Sequence, residues 1–311
     1  MPESFSNPQN SALGQRSRAS ETLAYLNWLF NPFQRLDVPA IYDLLSTRAA
    51  TQQALYLNLG YWKDARDLDA ASNALADLAA DGVRLGPDDT LLDVGFGFAD
   101  QDIRWATRYE PAQIIGLNLT ASQVRVARER VAERGLEDRI DLREGSATAM
   151  DLPDESVDKV IALESAFHFR PRAEFLREAF RVLRPGGRLA VADIIPCAPR
   201  GSSWNRFKQR ASWALVASKF SIPKDNAYPI PTYHAELRLR GYEQIRIASI
   251  RDQVYAPLHA WLRAHPPAIR RLHPAARLAA RIALSRDASS VYAGLDYVLA
   301  TAAKPLRLIQ T

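Results

Sequence analysis

The chain has 311 residues, 47% of them apolar, enough to bury the core of one large domain or of one domain with an added lobe. This composition excludes a disordered protein, and the apolar runs fall far short of the roughly 20 residues that a membrane span needs. The single cysteine, Cys197, excludes a disulfide framework, and no metal site is predicted. The net charge of +5 is mild, and the polar first residues lack the apolar run of a secretory signal, so a cytoplasmic protein is predicted.

Strands and helices alternate along the chain. Hydrophobic patterns of helical spacing predict a helical extension over residues 21–45 and a helix from residue 68 that ends at Asp81-Gly82. Further on, strands are predicted at 90–94, 113–117, 140–143, 159–163, 188–195, 244–250 and 298–300. Helices are predicted at 101–109, 122–134, 172–183 (stopped by Pro185-Gly186-Gly187), 202–220, 233–240 and 257–286. This alternation indicates parallel strands joined by right-handed crossovers, so the predicted fold class is α/β with an open doubly wound, Rossmann-like sheet.

The predicted first strand ends in a glycine-rich turn, Asp93-Val94-Gly95-Phe96-Gly97. Ligands of open parallel sheets bind at the carboxyl ends of the strands, and the two glycines let the backbone approach a ligand closely. A dinucleotide favours a third glycine at position 100, whereas this sequence has Asp100 and Asp102 there, and carboxylates repel a pyrophosphate. The sequence therefore argues against a nicotinamide-dependent dehydrogenase. An acid at the strand end favours a ligand that carries an ammonium and a sulfonium.

Polar residues also follow the second and third predicted strands. Asn118 ends the second strand and Gln123 lies one turn into the next helix, where ribose hydroxyls lie in such a fold. The loop Gly145-Ser146-Ala147 after the third strand is small enough for an adenine ring to pack on it. Each signal is weak alone, since Asn118 is equally typical of an ordinary turn.

Six segments in consecutive order, between about residues 55 and 195, resemble class I S-adenosylmethionine-dependent methyltransferases. They are Asn58-Leu59-Gly60-Tyr61-Trp62, the Asp93 turn, Gly116-Leu117-Asn118-Leu119-Thr120 with Gln123, Gly145-Ser146-Ala147, Ala162-Leu163-Glu164-Ser165 and Arg181-Val182-Leu183-Arg184-Pro185-Gly186-Gly187. Within this class the chain is most similar to the small-molecule group that includes sugar and natural-product O-methyltransferases. The resemblance implies S-adenosyl-L-methionine as the cofactor, extended across the first two strand ends, and a sheet with a reversed final strand.

The resemblance also implies roles for single residues. Its implied cofactor-binding residues are Asp93, Gly95 and Gly97 at the methionine end, Asn118 and Gln123 at the ribose, and Ser146 and Ala147 at the adenine. Glu164 would lie beside the methyl group, and Tyr61 would close over the cofactor's carboxylate. The chain departs from the family at Ala99, in place of a third glycine, and at Ser146, in place of an acid, so weaker cofactor binding is expected.

The candidate catalytic residues are His168, Asp193 and Glu164. Methyl transfer to a hydroxyl needs alignment and a base, whereas an amine can react without one. His168 is the candidate base because its loop overhangs the methyl group in this fold, and a structural role between two phenylalanines is the alternative. Asp193, at the end of the fifth strand, matches an acid that faces the acceptor in the related enzymes. It is predicted to orient His168, to act as the base itself, or to cap the following loop.

Two later segments bear on the acceptor and on partners. The aromatic-rich segment 202–237 predicts a roof, shared with the N-terminal helices, over a pocket for a large apolar small molecule, although the same aromatics are typical of a packed lid. Residues 253–286 contain six arginines and no acid. Three interpretations of this basic segment remain open: a solvated helix face, a surface that binds an anionic membrane, and a docking site for an acidic carrier protein or a phosphorylated acceptor. No nucleic acid is predicted, and a homodimer remains open.

The predicted domains are a tail with a helical extension (1–57), a cofactor-binding core (58–197), a helical lid (198–241) and the rest of the core with a basic helical insertion (242–311). The predicted function is methylation of a small, hydrophobic specialised metabolite at a hydroxyl. One alternative is C-methylation or cyclopropanation of an unsaturated lipid or isoprenoid, in which Glu164 and aromatic faces such as Trp213 or Tyr228 stabilise positive charge. Another is a non-catalytic cofactor-binding protein.

Overall fold

A twisted sheet forms the centre of the protein. The computed structural model describes residues 54–270 and 274–306, so the helical extension predicted over 21–45 lies outside the described residues. The strands of the described part are β1 Thr90–Val94, β2 Gln113–Asn118, β3 Ile140–Glu144, β4 Val157–Leu163, β5 Leu183–Pro196, β6 Glu243–Ser249 and β7 Leu295–Ala303. Each strand predicted from the sequence is present, with its ends shifted by a few residues.

The strand order is β3-β2-β1-β4-β5-β7-β6. The strands from β3 to β5 are parallel, whereas β7 runs antiparallel to both of its neighbours, β5 and β6. The doubly wound sheet and the reversed final strand are therefore both confirmed. The direction of winding changes between β1 and β4, and open sheets of this kind bind ligands outside the carboxyl ends of the strands at that point.

Helices cover both faces of the sheet. Those of the described residues are α1 Leu68–Val83, α2 Asp100–Arg108, α3 Ala121–Ala132, α4 Arg172–Val182, α5 Ser203–Lys219, α6 Ile230–Leu239, α7 Arg251–Ala264, α8 Pro266–Arg270, α9 Pro274–Leu284 and α10 Ala288–Val291. Neighbouring strand residues face opposite sides: Leu91 packs in the core under α1, α2 and α3, and Leu92 packs in the core under α4 and α6. Because the strands are buried on both faces, they appear in the sequence as continuous apolar runs.

Three predicted boundaries are wrong. Helix α1 continues through Gly82, which lets the helix approach the sheet: a Cβ there would lie 3.0 Å from Thr301 Cγ2. Strand β5 begins at Leu183 because Leu183 already pairs with Val157, and the Pro185-Gly186-Gly187 segment is absorbed by a shift in register. The single helix predicted over 257–286 is divided into α7, α8 and α9, and the first break lies at Pro266.

The basic segment is helical where it is described. On α9, Leu278 and Ile282 are half exposed, at 53% and 52%, beside Arg277 and Arg281. An acidic or membrane partner for this face remains a prediction. No helix in the described ranges has the length and apolar character needed to cross a membrane.

Candidate active site

A cavity of about 460 Å³ opens at the carboxyl ends of β1, β2 and β4. Its walls are formed by six short segments, at residues 55–58, 94–98, 117–120, 145–148, 163–165 and 168–170, with Asp100, Gln101 and Gln123. Four of these segments end a strand or directly follow one, and residues 168–170 lie on the loop after β4, so the sheet positions them. The cavity is therefore the ligand site that the topology predicts.

The glycine-rich turn is fixed by contacts to the neighbouring strands. The Gly95 amide donates to Leu117 O at 2.7 Å, and the Ser165 hydroxyl donates to Val94 O at 2.6 Å. Ala99, which the resemblance matches to a glycine of the family, adopts the left-handed conformation with φ 62° and is fully buried. An L-residue pays a strain of roughly 1 kcal/mol there, so the departure noted in the sequence has a physical cost in this turn.

Asn118 and Gln123 form a pair at the end of β2. The Asn118 amide donates to Gln123 Oε1 at 2.8 Å and more weakly to Gly97 O at 3.4 Å. Within the described residues, Gln123 Nε2 is buried without a hydrogen-bond partner. A buried donor of this kind costs about 1–3 kcal/mol unless a ligand satisfies it. The pair thus offers a hydrogen-bond donor to a ligand hydroxyl in the cavity.

The three acids around the turn do not act as the sequence argument assumed. Asp100 is neutralised by a bidentate ion pair with Arg130, at 2.6 and 2.7 Å, and it accepts a hydrogen bond from the Leu55 amide. Asp102 is fully buried beside Asp93, and burial raises the pKa of both carboxyl groups. Asp100 and Asp102 are therefore not free charges at the start of α2, and the predicted repulsion of a pyrophosphate by them is wrong.

Glu164 is the carboxyl group at the end of β4. One oxygen, Oε1, accepts the Leu59 amide and the Tyr297 hydroxyl, both at 2.6 Å. Burial raises the pKa of Glu164 to about 7, against the effect of these two donors. Leu59 directly follows the wall segment 55–58, and Tyr297 lies on β7. The Glu164 carboxyl group therefore links the start of the described chain to β7 through these two hydrogen bonds.

His168 lines the cavity on the loop after β4. Burial, with a smaller contribution from the nearby cation of Arg170, lowers its pKa to about 3. The imidazole is therefore neutral near pH 7, but it binds a proton only weakly. Its ring packs on Phe167, with centroids 4.2 Å apart.

Asp193 does not reach the cavity. Its Oδ2 lies 2.9 Å from Arg172 Nε and accepts the Tyr233 hydroxyl at 3.1 Å, and both members of the ion pair are fully buried. The Phe167 amide also donates to this carboxylate. Asp193 therefore holds the loop before His168, and the expectation that it acts as the base or orients the imidazole directly is wrong.

A second cavity, of about 780 Å³, lies under the lid beside the first. Helix α5 contributes Trp213, Ala214, Ala217 and Ser218, and the loop after it contributes residues 221–224 and Ala227. Arg170 lines both cavities. The predicted aromatic roof is thus only partly correct: Trp213 lines the space, whereas Trp204 and Phe207 are exposed and Tyr228 and Tyr233 stack on Arg172.

The structure brings most of the predicted residues together. Those that line the first cavity are Gly95, Gly97, Asn118, Gln123, Ser146, Ala147, Glu164 and His168. Tyr61, like Asp93, lies outside its walls: its amide donates to Ala71 O and its ring packs against the core. Their predicted contacts to the methionine end are not supported. Sequence reasoning missed residues 55–57 and Gln101, whose amide donates to Asp93 and to Phe96 O, both at 3.0 Å.

The cavity fits the cofactor that the sequence implies. Gln123 Nε2 is an unsatisfied donor where a ribose would bind, Gly97 leaves the turn open, and Glu164 places a carboxyl group for a cationic centre. S-adenosyl-L-methionine supplies a methyl group activated by a sulfonium. The residues that line the cavity therefore need only hold this cofactor and align the acceptor with its methyl group.

Comparisons with known proteins agree with this geometry. Residues 92–191 match the methyltransferase domain family. The chain is 37% identical over 262 residues to erythromycin 3''-O-methyltransferase of Saccharopolyspora erythraea, covering 82% of this chain and 86% of that protein. It is 34% identical over 190 residues to 27-O-demethylrifamycin SV methyltransferase of Amycolatopsis mediterranei, covering 60% of this chain and 66% of that one.

Solved structures share the fold. The cyclopropane synthase MmaA2 of Mycobacterium tuberculosis superposes with a TM-score of 0.66 at 17% identity, over 90% of this chain and 98% of that one. The [4+2]-cyclase SpnF superposes with a TM-score of 0.63 at 23% identity, over 92% and 96%. Because these proteins are named for different reactions, the fold alone does not specify the chemistry.

The chain belongs to the class I S-adenosylmethionine-dependent methyltransferases. It is an enzyme of this family, and S-adenosyl-L-methionine is its cofactor. Its relatives include O-methyltransferases named for antibiotic substrates. The individual roles assigned to the site residues remain predictions.

The raised pKa of Glu164 leads to a pH-dependent affinity. The sulfonium favours the ionised carboxylate, and the carboxyl group is mostly protonated at pH 6 and mostly ionised at pH 8. The affinity for S-adenosylmethionine should therefore rise about tenfold from pH 6 to pH 8. Calorimetric titrations at the two pH values measure it. S-adenosylhomocysteine, which lacks the sulfonium, should show a smaller rise, and Glu164→Gln should be insensitive to pH; the same rise in that variant would assign the effect to another group.

Proposed function

We propose that this enzyme transfers the methyl group to an oxygen of a specialised metabolite, and that the metabolite binds in the second cavity. The observation that carries this proposal is the position of Arg170, which lines both the cofactor cavity and the second cavity. A volume of about 780 Å³ suits a small organic molecule. Several relatives are named for methylation of an oxygen atom, among them those that act on erythromycin and on demethylrifamycin, and these names support the choice of acceptor atom.

A labelling experiment tests the proposal. The enzyme is incubated with ¹³C-methyl-labelled cofactor and a metabolite extract, and labelled products are identified by mass spectrometry and NMR. The carbon shift of the new methyl group distinguishes attachment to oxygen from attachment to carbon. Label on oxygen is expected. Label on carbon would support the alternative of C-methylation, and tight cofactor binding without any label transfer would support a non-catalytic role.

The alternative of C-methylation has weaker support in the site. It predicts aromatic faces that stabilise positive charge in the acceptor. Trp213 lines the second cavity, but the ring of Tyr228 already faces the Arg172 guanidinium at 4.8 Å. Arg170, which lines both cavities, carries a positive charge that disfavours a cation developing on the acceptor. We also propose that the reaction takes place in the cytoplasm, as the amino-acid sequence leads us to expect.

The weak basicity of His168 sets an expectation for its replacement. A positioned general base contributes on the order of 100- to 10,000-fold, but a group with a pKa near 3 accepts a proton poorly at neutral pH. His168→Gln, which keeps a hydrogen-bonding side chain of similar size, should therefore lower kcat by less than about tenfold. Steady-state rates with the acceptor identified in the labelling experiment measure this change in kcat. A loss of 100-fold or more would establish His168 as the base.

A further inference from the structure

The acceptor cavity contains cationic side chains that lack acidic partners. Ten described residues line it, and the charged ones among them are Arg170 and Lys224. Within residues 54–270 and 274–306, neither forms an ion pair, whereas other arginines near the sheet, such as Arg130 and Arg172, are paired with carboxylates. Both side chains are exposed to solvent, so they are stable without a counter-ion and remain available to an anion from a ligand.

Arg170 lies where the two cavities meet, and its guanidinium is on the side of the second cavity. Its Nη2 donates to Ser221 O at 3.4 Å, and Ser221 belongs to the wall of the second cavity. This long hydrogen bond leaves most of the five donors of the guanidinium available. Lys224 begins the short helical turn Lys224–Asn226 in the same wall, so the two cations flank one space.

The rest of the wall is apolar or weakly polar. Trp213, Ile222 and Pro223 supply flat and aliphatic surface, and Ala214, Ala217 and Ala227 leave room beside it. An occupant therefore has an apolar body with a charge at one end. This pattern, a mostly apolar pocket with a few convergent polar groups, is typical of sites for small organic ligands.

We propose, as a deepening of the O-methylation proposed above, that the acceptor is an apolar organic anion, a carboxylate or phenolate, whose charged oxygen is held between Arg170 and Lys224. The cation of Arg170 also adds, after burial, to the poor basicity of His168. An oxygen that binds as its anion has no proton to lose. The site therefore has no need of a strong base.

Paired probes that differ in charge test this inference. The enzyme, saturated with S-adenosylhomocysteine, is titrated calorimetrically at pH 7.5 with 2-naphthoate and with 2-naphthamide, which have the same shape. Hydrogen bonds to an ionised group stabilise a complex by about 1.5–3 kcal/mol. We therefore expect 2-naphthoate to bind at least about tenfold more tightly than the amide. The double variant Arg170→Gln/Lys224→Gln should bind the two probes equally.

A matched control removes the same kind of charge elsewhere on the lid. Arg210 is exposed on α5 and lies outside both cavities, so Arg210→Gln should keep the preference for the anion. Equal affinities in the wild type, no binding of 2-naphthoate up to millimolar concentration, or a preference that survives in the double variant would each overturn the inference. Transfer of label to an extract in any of those cases would leave the O-methylation standing, so the two proposals fail separately.

Discussion

Replacing Arg172 with methionine should lower the free energy of unfolding by about 3–5 kcal/mol. The guanidinium neutralises Asp193 at 2.9 Å in a fully buried position, and it stacks on Tyr228 and Tyr233. Methionine fills a similar volume but leaves the Asp193 carboxylate without its counter-ion in the core. Urea denaturation at pH 7 followed by circular dichroism measures the change.

Two further variants separate the charge from the packing. Adding Asp193→Asn to the Arg172→Met chain removes the uncompensated carboxylate, so more than about 1 kcal/mol of the loss should be recovered. Arg177→Met removes an exposed arginine that pairs with Glu174 and, at 3.3 Å, with Glu178, and it should cost less than about 1 kcal/mol. If the double variant is no more stable than Arg172→Met alone, the buried charge is not the cause of the loss.

Gly95→Ala should weaken the binding of S-adenosylhomocysteine by about 30-fold or more, equivalent to roughly 2 kcal/mol. Gly95 has φ 87°, and a Cβ at this position would lie 2.4 Å from Ser165 Cβ and 2.8 Å from its hydroxyl. The turn would have to move away from Ser165, which breaks the hydrogen bond from Ser165 to Val94 O and displaces a wall of the cofactor cavity. Calorimetric titration measures the affinity.

Gly135→Ala is the matched control. Gly135 also has a positive φ, 62°, but a Cβ there would meet nothing within 4 Å. This variant should show only the backbone strain, about 1 kcal/mol of stability, and an unchanged cofactor affinity. An equal loss of affinity in the two variants would mean that global stability, rather than the geometry of the cofactor turn, controls binding.

The sheet could be predicted because its determinants are local. Each strand is a short apolar run, and the parallel topology carries the polar groups that follow β1, β2, β3 and β4 to one edge of the sheet. For that reason Asn118, Ser146 and Glu164 could be placed together without knowledge of any contact. Helix ends were less predictable: Gly82 is a typical stop signal, yet here its lack of a side chain serves the close packing of α1 on the sheet.

The contacts that could not be predicted are those between residues far apart in sequence. Nothing near Asp193 indicates that Arg172 and Tyr233 enclose it, and nothing near Glu164 indicates a bond to Tyr297. Charge pattern was misleading for the same reason, since Asp100 appears free in the sequence but is neutralised by Arg130. Candidate catalytic residues are identified by type and local position, whereas their protonation depends on partners that only the fold supplies.

The position of β7 has a consequence for the order of folding during translation. This strand follows β1 to β6 in the chain, yet it lies inside the sheet between β5 and β6 and carries the Tyr297 hydroxyl to Glu164. Chains emerge from the ribosome N-terminal end first. The nascent protein can therefore assemble β1 to β5, but the edges of β5 and β6 that face β7 stay unpaired, and the methyl-donor site stays incomplete, until β7 is released.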